Sequence, residues 1–333
     1  WLPFGGIAER IKRLNPDLVH LHWIAGGMMR VEELARIQSP IVWSLHDNWA
    51  FTGGCHIMRE CGRHLLGCGC CALLGSENQK DLSWKHFMRK QRTYNSMEKF
   101  TVVGVSRWIA EEARKSRLLT NQRIVCLPNP IDINVFRPIE KSQVRDLLGL
   151  PKGKKIIAFG AIDALSDENK GFHVFLKSLE YLTRDDLEVV IFGASQRSEN
   201  QSFPHKIRFL GVLNDDLSLC LLYNACDLMV VPSLQENLSN SIMESLSCGT
   251  PVVAFNVGGN SDMIEHKKNG YLAVPFEPID LAQGLDWILN TPNYEKLRNR
   301  AREKVMLEFR SEVVAEKYIQ LYRKIIENNG KRK

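Results

Sequence analysis

The sequence has no long apolar run: none approaches the ~18 residues that suggest a membrane-spanning helix, so a bundle of spanning helices is excluded. No G-x-G-x-x-G follows any strand-like run, which disfavours a nicotinamide dehydrogenase. The nearest approach to a phosphate-cradling P-loop, "GLPKGKK" from Gly149, has the wrong glycine spacing and lacks the Ser or Thr. Internal repeats and low-complexity tracts are missing. Nothing resembles a signal peptide, but the chain begins at Trp1 rather than methionine, which leaves a preceding segment open. Aromatics are not interleaved with basic residues and no nucleic-acid motif appears, so nucleic acid is not an expected partner.

What is present describes an ordinary globular chain. At 333 residues the length favours two domains, each able to bury its own core. Charged residues make up 25% and hydrophobic ones 44%, neither disordered nor fibrous. The formal net charge of +6 comes with the clusters "KHFMRKQR" from Lys85, "RNRAREK" from Arg298 and the terminal "NNGKRK". These read either as solvated helix faces or as an attraction to an anionic membrane surface. The nine cysteines are an odd number, and five crowd between Cys55 and Cys71. That usage suits a reducing cytoplasm with a local metal site better than a secreted disulfide framework. Cys55, Cys61, Cys68 and Cys71 give the spacing C-x5-C-x6-C-x2-C, which could close tetrahedrally on a structural zinc and order residues 53–75. Free inert thiols, a disulfide and an iron–sulfur role stay open, and Cys70 is surplus to a four-ligand set.

Short β-branched runs alternate with segments of helical length. "DLVHLHW" from Asp17, "PIVWSLHD" from Pro40 and "FTVVGVS" from Phe100 read as buried strands. So do "KKIIAFGA" from Lys154, "LEVVIFG" from Leu187, "IRFLGVL" from Ile207, "DLMVVPS" from Asp227 and "PVVAF" from Pro251. Helical patterns lie between many of them, as over 171–182 and 215–225. The alternation predicts an α/β protein with parallel sheets covered on both faces. Prolines 128, 130 and 138 punctuate a break, placing the domain boundary between 138 and 152. The expected organisation is a first domain over 1–145, a second over 146–310, and a C-terminal helix with a basic tail over 311–333.

Ligands of doubly wound sheets bind beyond the C-terminal ends of the strands. Such an end carries "PSLQENLSNSIMESLSCGTPVVAFNVGG" from Pro232, with Glu236 and Glu244 eight positions apart. Glu236 falls in a loop and Glu244 inside the helix that follows. The helix N-terminus would favour an anion, so the amides of Asn237, Leu238 and Ser239 are candidates to face a phosphate. Glu244 suits a sugar diol and Glu236 a second polyol. The alternative is structural: Ser241 and Glu244 also fit a capping box, and Glu236 could be a solvated loop residue.

This segment resembles the E-x7-E signature of the retaining glycosyltransferases of family four, which adopt the GT-B fold. "PNPIDINVFRP" is similar to their interdomain stretch, with Pro130 in place of a glycine, and "FGAIDALSDENKGF" to their first second-domain strand and the lysine-glycine opening the next helix. "GGNSDMI" from Gly258 resembles the segment after the following strand. "LHDNWAFTGGCH" and the cysteines after it are similar to a subgroup building bacterial exopolysaccharide and related surface glycans, although Ala72 stands where a proline usually follows the last cysteine.

The resemblance implies two Rossmann-like doubly wound domains and transfer of a hexose from a nucleoside-diphosphate sugar, UDP- or GDP-linked, to a hydroxyl with retention of configuration. The acceptor would be a glycan or lipid-linked oligosaccharide at the cytoplasmic membrane face. It implies no cofactor for catalysis and no obligatory divalent metal. Glu244 would hold the ribose hydroxyls, Glu236 the transferred hexose, Asn237 to Ser239 the hexose and diphosphate, and Lys170 the diphosphate leaving group. His46 falls where the family places a histidine near the donor hexose, and Gly160 where backbone approaches the diphosphate, although close packing would also demand glycine there. Glu236 and Glu244 are then binding groups rather than a glycosidase acid and base. The pattern departs in two places. No arginine precedes Lys170 as a second clamp, and the first strand and glycine-rich loop of the family are absent, as if about 80 residues of a normal-sized domain were missing. The expectation is an incomplete first domain, and the competing reading is a non-catalytic homologue that binds nucleotide-sugar only.

Overall fold

The computed structural model describes residues 6–98, 100–160, 166–193 and 204–330. The chain forms two compact units, one of residues 1–128 with 315–333, the other of 129–314. Residues 161–165, within the lysine-glycine motif, lie outside the described residues.

The first unit is built on four strands, β1 (Val19–Leu21), β2 (Ile41–Leu45), β3 (Thr101–Gly104) and β4 (Arg123–Cys126), paired in that order and all parallel. β2 and β3 are buried along their whole length, as a parallel strand covered on both faces must be. Its helices are α1 (Ile7–Leu14), α2 (Leu82–Ser96) and α3 (Arg107–Lys115). Asp81 caps α2 by accepting the Trp84 amide, and Ser106 caps α3 by accepting that of Ile109.

The second unit contains β5 (Lys155–Gly160), β6 (Leu187–Phe192), β7 (Lys206–Phe209), β8 (Leu228–Val231), β9 (Val252–Phe255) and β10 (Gly270–Ala273). They form one parallel sheet in the order β10-β9-β8-β5-β6-β7. The order reverses between β5 and β8, which makes their C-terminal ends the place where a doubly wound sheet receives a ligand. Its helices are α4 (Lys141–Leu147), α5 (Phe172–Leu179), α6 (Asp216–Ala225), α7 (Asn240–Ser247), α8 (Asn260–Met263), α9 (Pro278–Asn290) and α10 (Tyr294–Glu308). α5 and α9 share one core with the sheet through Phe159, Phe175, Val189, Val230, Phe255 and Leu285.

Two strands escape a reading by pattern. β4 has exposed ends and only two half-covered residues between them, and β10 opens on a glycine after a polar turn. Both lie at sheet edges, where one neighbouring strand is enough to recruit a segment with little intrinsic preference.

The units divide upstream of the expected break. Residues 129–145 fold with the second unit because their polar groups are satisfied there. The Ile139 amide donates to Asn224 Oδ1 (2.7 Å), Arg145 and Lys141 each reach Asp227 at 2.8 Å, and Arg302 donates to the Phe136 carbonyl (2.7 Å). The last helix, α11 (Ser311–Gly330), is not separate: from residue 315 on it belongs to the first unit. Leu321 packs there on Val42 and Val103 with Tyr318, Tyr322 and Ile325 around it.

Candidate functional site

At the switch point of the second sheet the loops after β5 and β8 bring together several of the residues singled out from sequence. β5 ends at Gly160, where an added Cβ would overlap the Phe192 ring, so packing against β6 already demands glycine. The chain re-enters at Asp167, which accepts the Asn169 amide (2.9 Å) and opens a single 3-10 turn over Glu168–Lys170. Gly171 follows in the left-handed region (φ 68°), its Cα so close to the Pro232 carbonyl that a Cβ would overlap it. This approach joins the β5–α5 connection to the loop after β8.

The junction is held by Asn169, which is buried. Its Nδ2 donates to the Gln235 carbonyl (2.9 Å), its Oδ1 accepts the Gln235 amide (3.2 Å), and its carbonyl accepts the Leu234 amide (2.8 Å). On the other side Gly258 (φ 53°) lies against the Glu236 carbonyl, which accepts the Gly259 amide at 3.2 Å. Glu236 is thereby fixed at both flanks, and Lys170 Nζ reaches its Oε1 at 3.2 Å. The two side chains are 27% and 15% exposed, so the pair is shielded more than a surface ion pair and keeps one edge open. A cavity of about 340 Å³ opens over the pair, lined among others by Gly160, Lys170, Pro232, Glu236, Leu238 and Ser239. That volume is in the range of small-ligand sites.

Glu244 sits one helical turn beyond Asn240 and Ser241, which line the far wall. The capping box does not form: Ser239 is the N-cap of α7, with no side-chain cap bond. Instead Tyr223 Oη donates to Glu244 Oε2 at 2.8 Å. Burial pushes the Glu244 carboxyl up, opposed by the Tyr223 hydrogen bond. α7 ends as expected before Gly249, which takes the left-handed conformation (φ 73°). Neither Asn237 nor Glu244 lines the cavity itself.

His46 belongs to the first unit, just after β2. Its Nε2 lies 2.9 Å from Nδ1 of His22, which follows β1, and the rings stack at 5.2 Å. Behind them His20 Nε2 meets Ser44 Oγ at 2.8 Å, and Tyr322 Oη of α11 lies 2.6 Å from His20 Nδ1. Burial, then the neighbouring His22 and His46, press the His20 pKa down to about 4. His46 is lowered by burial and by His22, partly offset by Asp47. Because the folded state holds His20 neutral, its contribution to stability is whole above the unfolded pKa near 6.5 and is lost as pH falls from there towards 4. Thermal unfolding at stepped pH should show a steeper loss of Tm across that window in the wild type than in His20→Gln. Parallel curves would remove His20 as the cause.

Hydrogen bonds from outside the cysteine loop tether the chain at both of its ends. Among the described residues no three His, Cys, Asp or Glu side chains are placed to hold a metal ion, so Cys55, Cys61, Cys68 and Cys71 do not stand as a ligand set. Among the described residues no cysteine forms a disulfide. Cys68 Sγ accepts the Gly53 amide (3.0 Å), and burial pushes its thiol up to about 11. Asp81 accepts the Cys71 amide (2.8 Å), and the buried Lys90 donates to the carbonyls of Trp49 and of Thr52. Sequence spacing could not reveal this, because the tethers come from the N-cap of α2 and from its interior. Lys90 and Arg302, counted in the basic clusters, are spent internally: Arg302 binds the carbonyls of Phe136 and Ser247 at 2.7 Å. Among the described residues no helix is long and apolar enough to cross a membrane.

Comparison with known proteins agrees with this architecture. Residues 141–305 match the family described as "Glycosyl transferases group 1", and residues 1–135 match "Glycosyltransferase Family 4". The chain belongs to the group 1 glycosyltransferases, with a family 4 amino-terminal domain and the GT-B fold. It is 26% identical, over 96% of its length and 86% of the relative's, to an uncharacterized glycosyltransferase of Methanocaldococcus jannaschii. A D-inositol 3-phosphate glycosyltransferase of Paenarthrobacter aurescens is 30% identical over 57% of this chain and 50% of its own. Among solved structures, sucrose-phosphate synthase from Thermosynechococcus elongatus superposes with a TM-score of 0.70 at 19% identity, covering 96% of this chain and 77% of that one. Anabaena HepE in complex with UDP and glucose gives 0.64 at 19% identity, over 94% and 80%. At such identities these structures speak for the fold.

Proposed function

We propose that this glycosyltransferase moves a hexose from a nucleoside-diphosphate sugar to a hydroxyl of a growing bacterial surface glycan, with retention of configuration. The observation that carries the donor reading is the Lys170–Glu236 pair, half-shielded in a cavity at the switch point of the second sheet. A cation there faces the space a diphosphate would fill, and the entrance to α7 offers the positive end of a helix to the same group. Glu236 would hold the hexose, Leu238 and Ser239 its phosphates, and Glu244 the ribose, with Tyr223 orienting the carboxylate. The bond from the anomeric carbon to the diphosphate oxygen breaks, the acceptor oxygen bonds that carbon from the same face, and the acceptor's proton passes to the departing diphosphate. No protein nucleophile or divalent metal enters this scheme. His46 is the first unit's candidate contact to the hexose, with the hydrogen bond to His22 fixing which ring nitrogen is free.

Anabaena HepE has been solved with UDP and with UDP-glucose, which makes UDP the first nucleotide to test. Calorimetric titration with UDP and GDP should show binding of one, weakened about tenfold or more in Glu244→Ala if the carboxylate accepts charge-assisted hydrogen bonds. Equal affinity in the mutant would remove Glu244 from the site. Binding without sugar transfer would instead favour the non-catalytic alternative.

The surface-glycan acceptor and peripheral attachment to an anionic membrane are supported only by the "LHDNWAFTGGCH" likeness and by the remaining basic side chains. Structural zinc on Cys55, Cys61, Cys68 and Cys71 is proposed on spacing alone. It requires the thiols to draw together from the positions described, and metal analysis near one zinc per chain would support it.

A further inference from the structure

The first unit holds a larger cavity that the donor chemistry does not use. Its volume is about 630 Å³, and it opens between the turn after β1, the segment after β2 and α2. Two indoles form one side: Trp23 and Trp49 have ring centroids 6.1 Å apart at 64°, and Trp23 is 43% exposed. Trp49 is clamped from below by Lys90, whose Nζ lies 3.6 Å from its ring centroid. The other side is basic. Arg30, His86 and Arg89 line it, and no Asp or Glu does. Arg89 commits Nε and Nη2 to Glu32 (2.8 and 3.1 Å), which leaves its other guanidinium donors uncommitted by that pair. The Arg30 side chain is exposed and makes no hydrogen bond or salt bridge among the described residues, and its charge acts on Glu32 only through space.

Flat, held indoles suit the apolar faces of a pyranose ring, and a guanidinium with no hydrogen-bond partner, in a cavity whose lining carries no carboxylate, suits an oxyanion. A neutral glycan would use the first feature and have no call on the second. We propose that this cavity binds a saccharide bearing a phosphate or carboxylate group, as the acceptor of the transfer. The acceptor role rests on the glycosyltransferase reading, whereas binding itself does not.

The full chain would be titrated calorimetrically with glucose 1-phosphate, glucuronate and glucose, and separately with UDP. At least one anionic sugar should bind and glucose should not; which anion binds identifies phosphate or carboxylate. Arg30→Ala and Trp23→Ala should each weaken that binding about tenfold or more while leaving the UDP isotherm and Tm unchanged. Failure of both anionic sugars, equal binding of glucose, or unaltered affinity in either variant would overturn the proposal. Binding of an anionic sugar by a chain that takes no nucleotide would sink the donor reading and leave this site standing.

Discussion

Replacing Lys170 by alanine is expected to lower kcat about 10²–10³-fold, the scale of losing one preorganised charge at a developing anion. The diphosphate gains negative charge as its bond to the sugar breaks, so the lysine counts more in the transition state than in the bound donor. The same variant should therefore change the dissociation constant for UDP much less than it changes turnover. In the resting protein Nζ is engaged by Glu236 at 3.2 Å, and some ground-state attraction to the donor is already offset by that pair. Steady-state kinetics beside calorimetry separate the two effects. A loss confined to KM would make Lys170 a binding residue only, and unchanged kinetics would remove it from the site.

The second large effect is expected at Gly258, which touches no ligand in the scheme. Its φ of 53° is a conformation that residues with a Cβ rarely adopt, and a Cβ there would overlap the Glu236 carbonyl. Gly258→Ala must displace either the 258–259 turn or the loop that presents Glu236. Backbone strain alone costs about 1–3 kcal/mol; the overlap adds to it, and the displacement reaches Glu236 directly. Gly211 supplies the control, since its φ is 72° but nothing lies within 4 Å of the added carbon. Gly211→Ala should lose stability with donor affinity intact, while Gly258→Ala should lose both. If the two variants lost Tm equally and bound UDP equally well, Gly258 would be no support for Glu236.

Much of the donor site could be read locally. Lys170 before a glycine and Glu236 after a strand announce themselves by position, because a parallel sheet delivers both to its C-terminal edge. Their supports could not be read so easily. Asn169 lies beside Lys170 in sequence, yet its partners are at Gln235 and Leu234, and only the order β8-β5 brings those segments together. Tyr223 looks like any aromatic on a buried helix face until its hydroxyl is found on Glu244. By sequence Gly160 fits either ligand approach or packing, and the Phe192 ring supplies the packing reason.

The sequence by itself determined the α/β alternation, the two-domain organisation and the loops that carry the candidate chemistry. Those features are written in local periodicity and in residues just past strand ends. Tertiary structure alone decided where the units divide, that α11 returns to the first of them, and that Asp81 and Lys90 tether the chain at the two ends of the cysteine loop. It also decided which basic residues remain available to a ligand, since Lys90 and Arg302 are consumed by backbone carbonyls while Arg30 is not. Each of these outcomes depends on satisfying buried polar groups across long sequence separations, a requirement that no local pattern encodes.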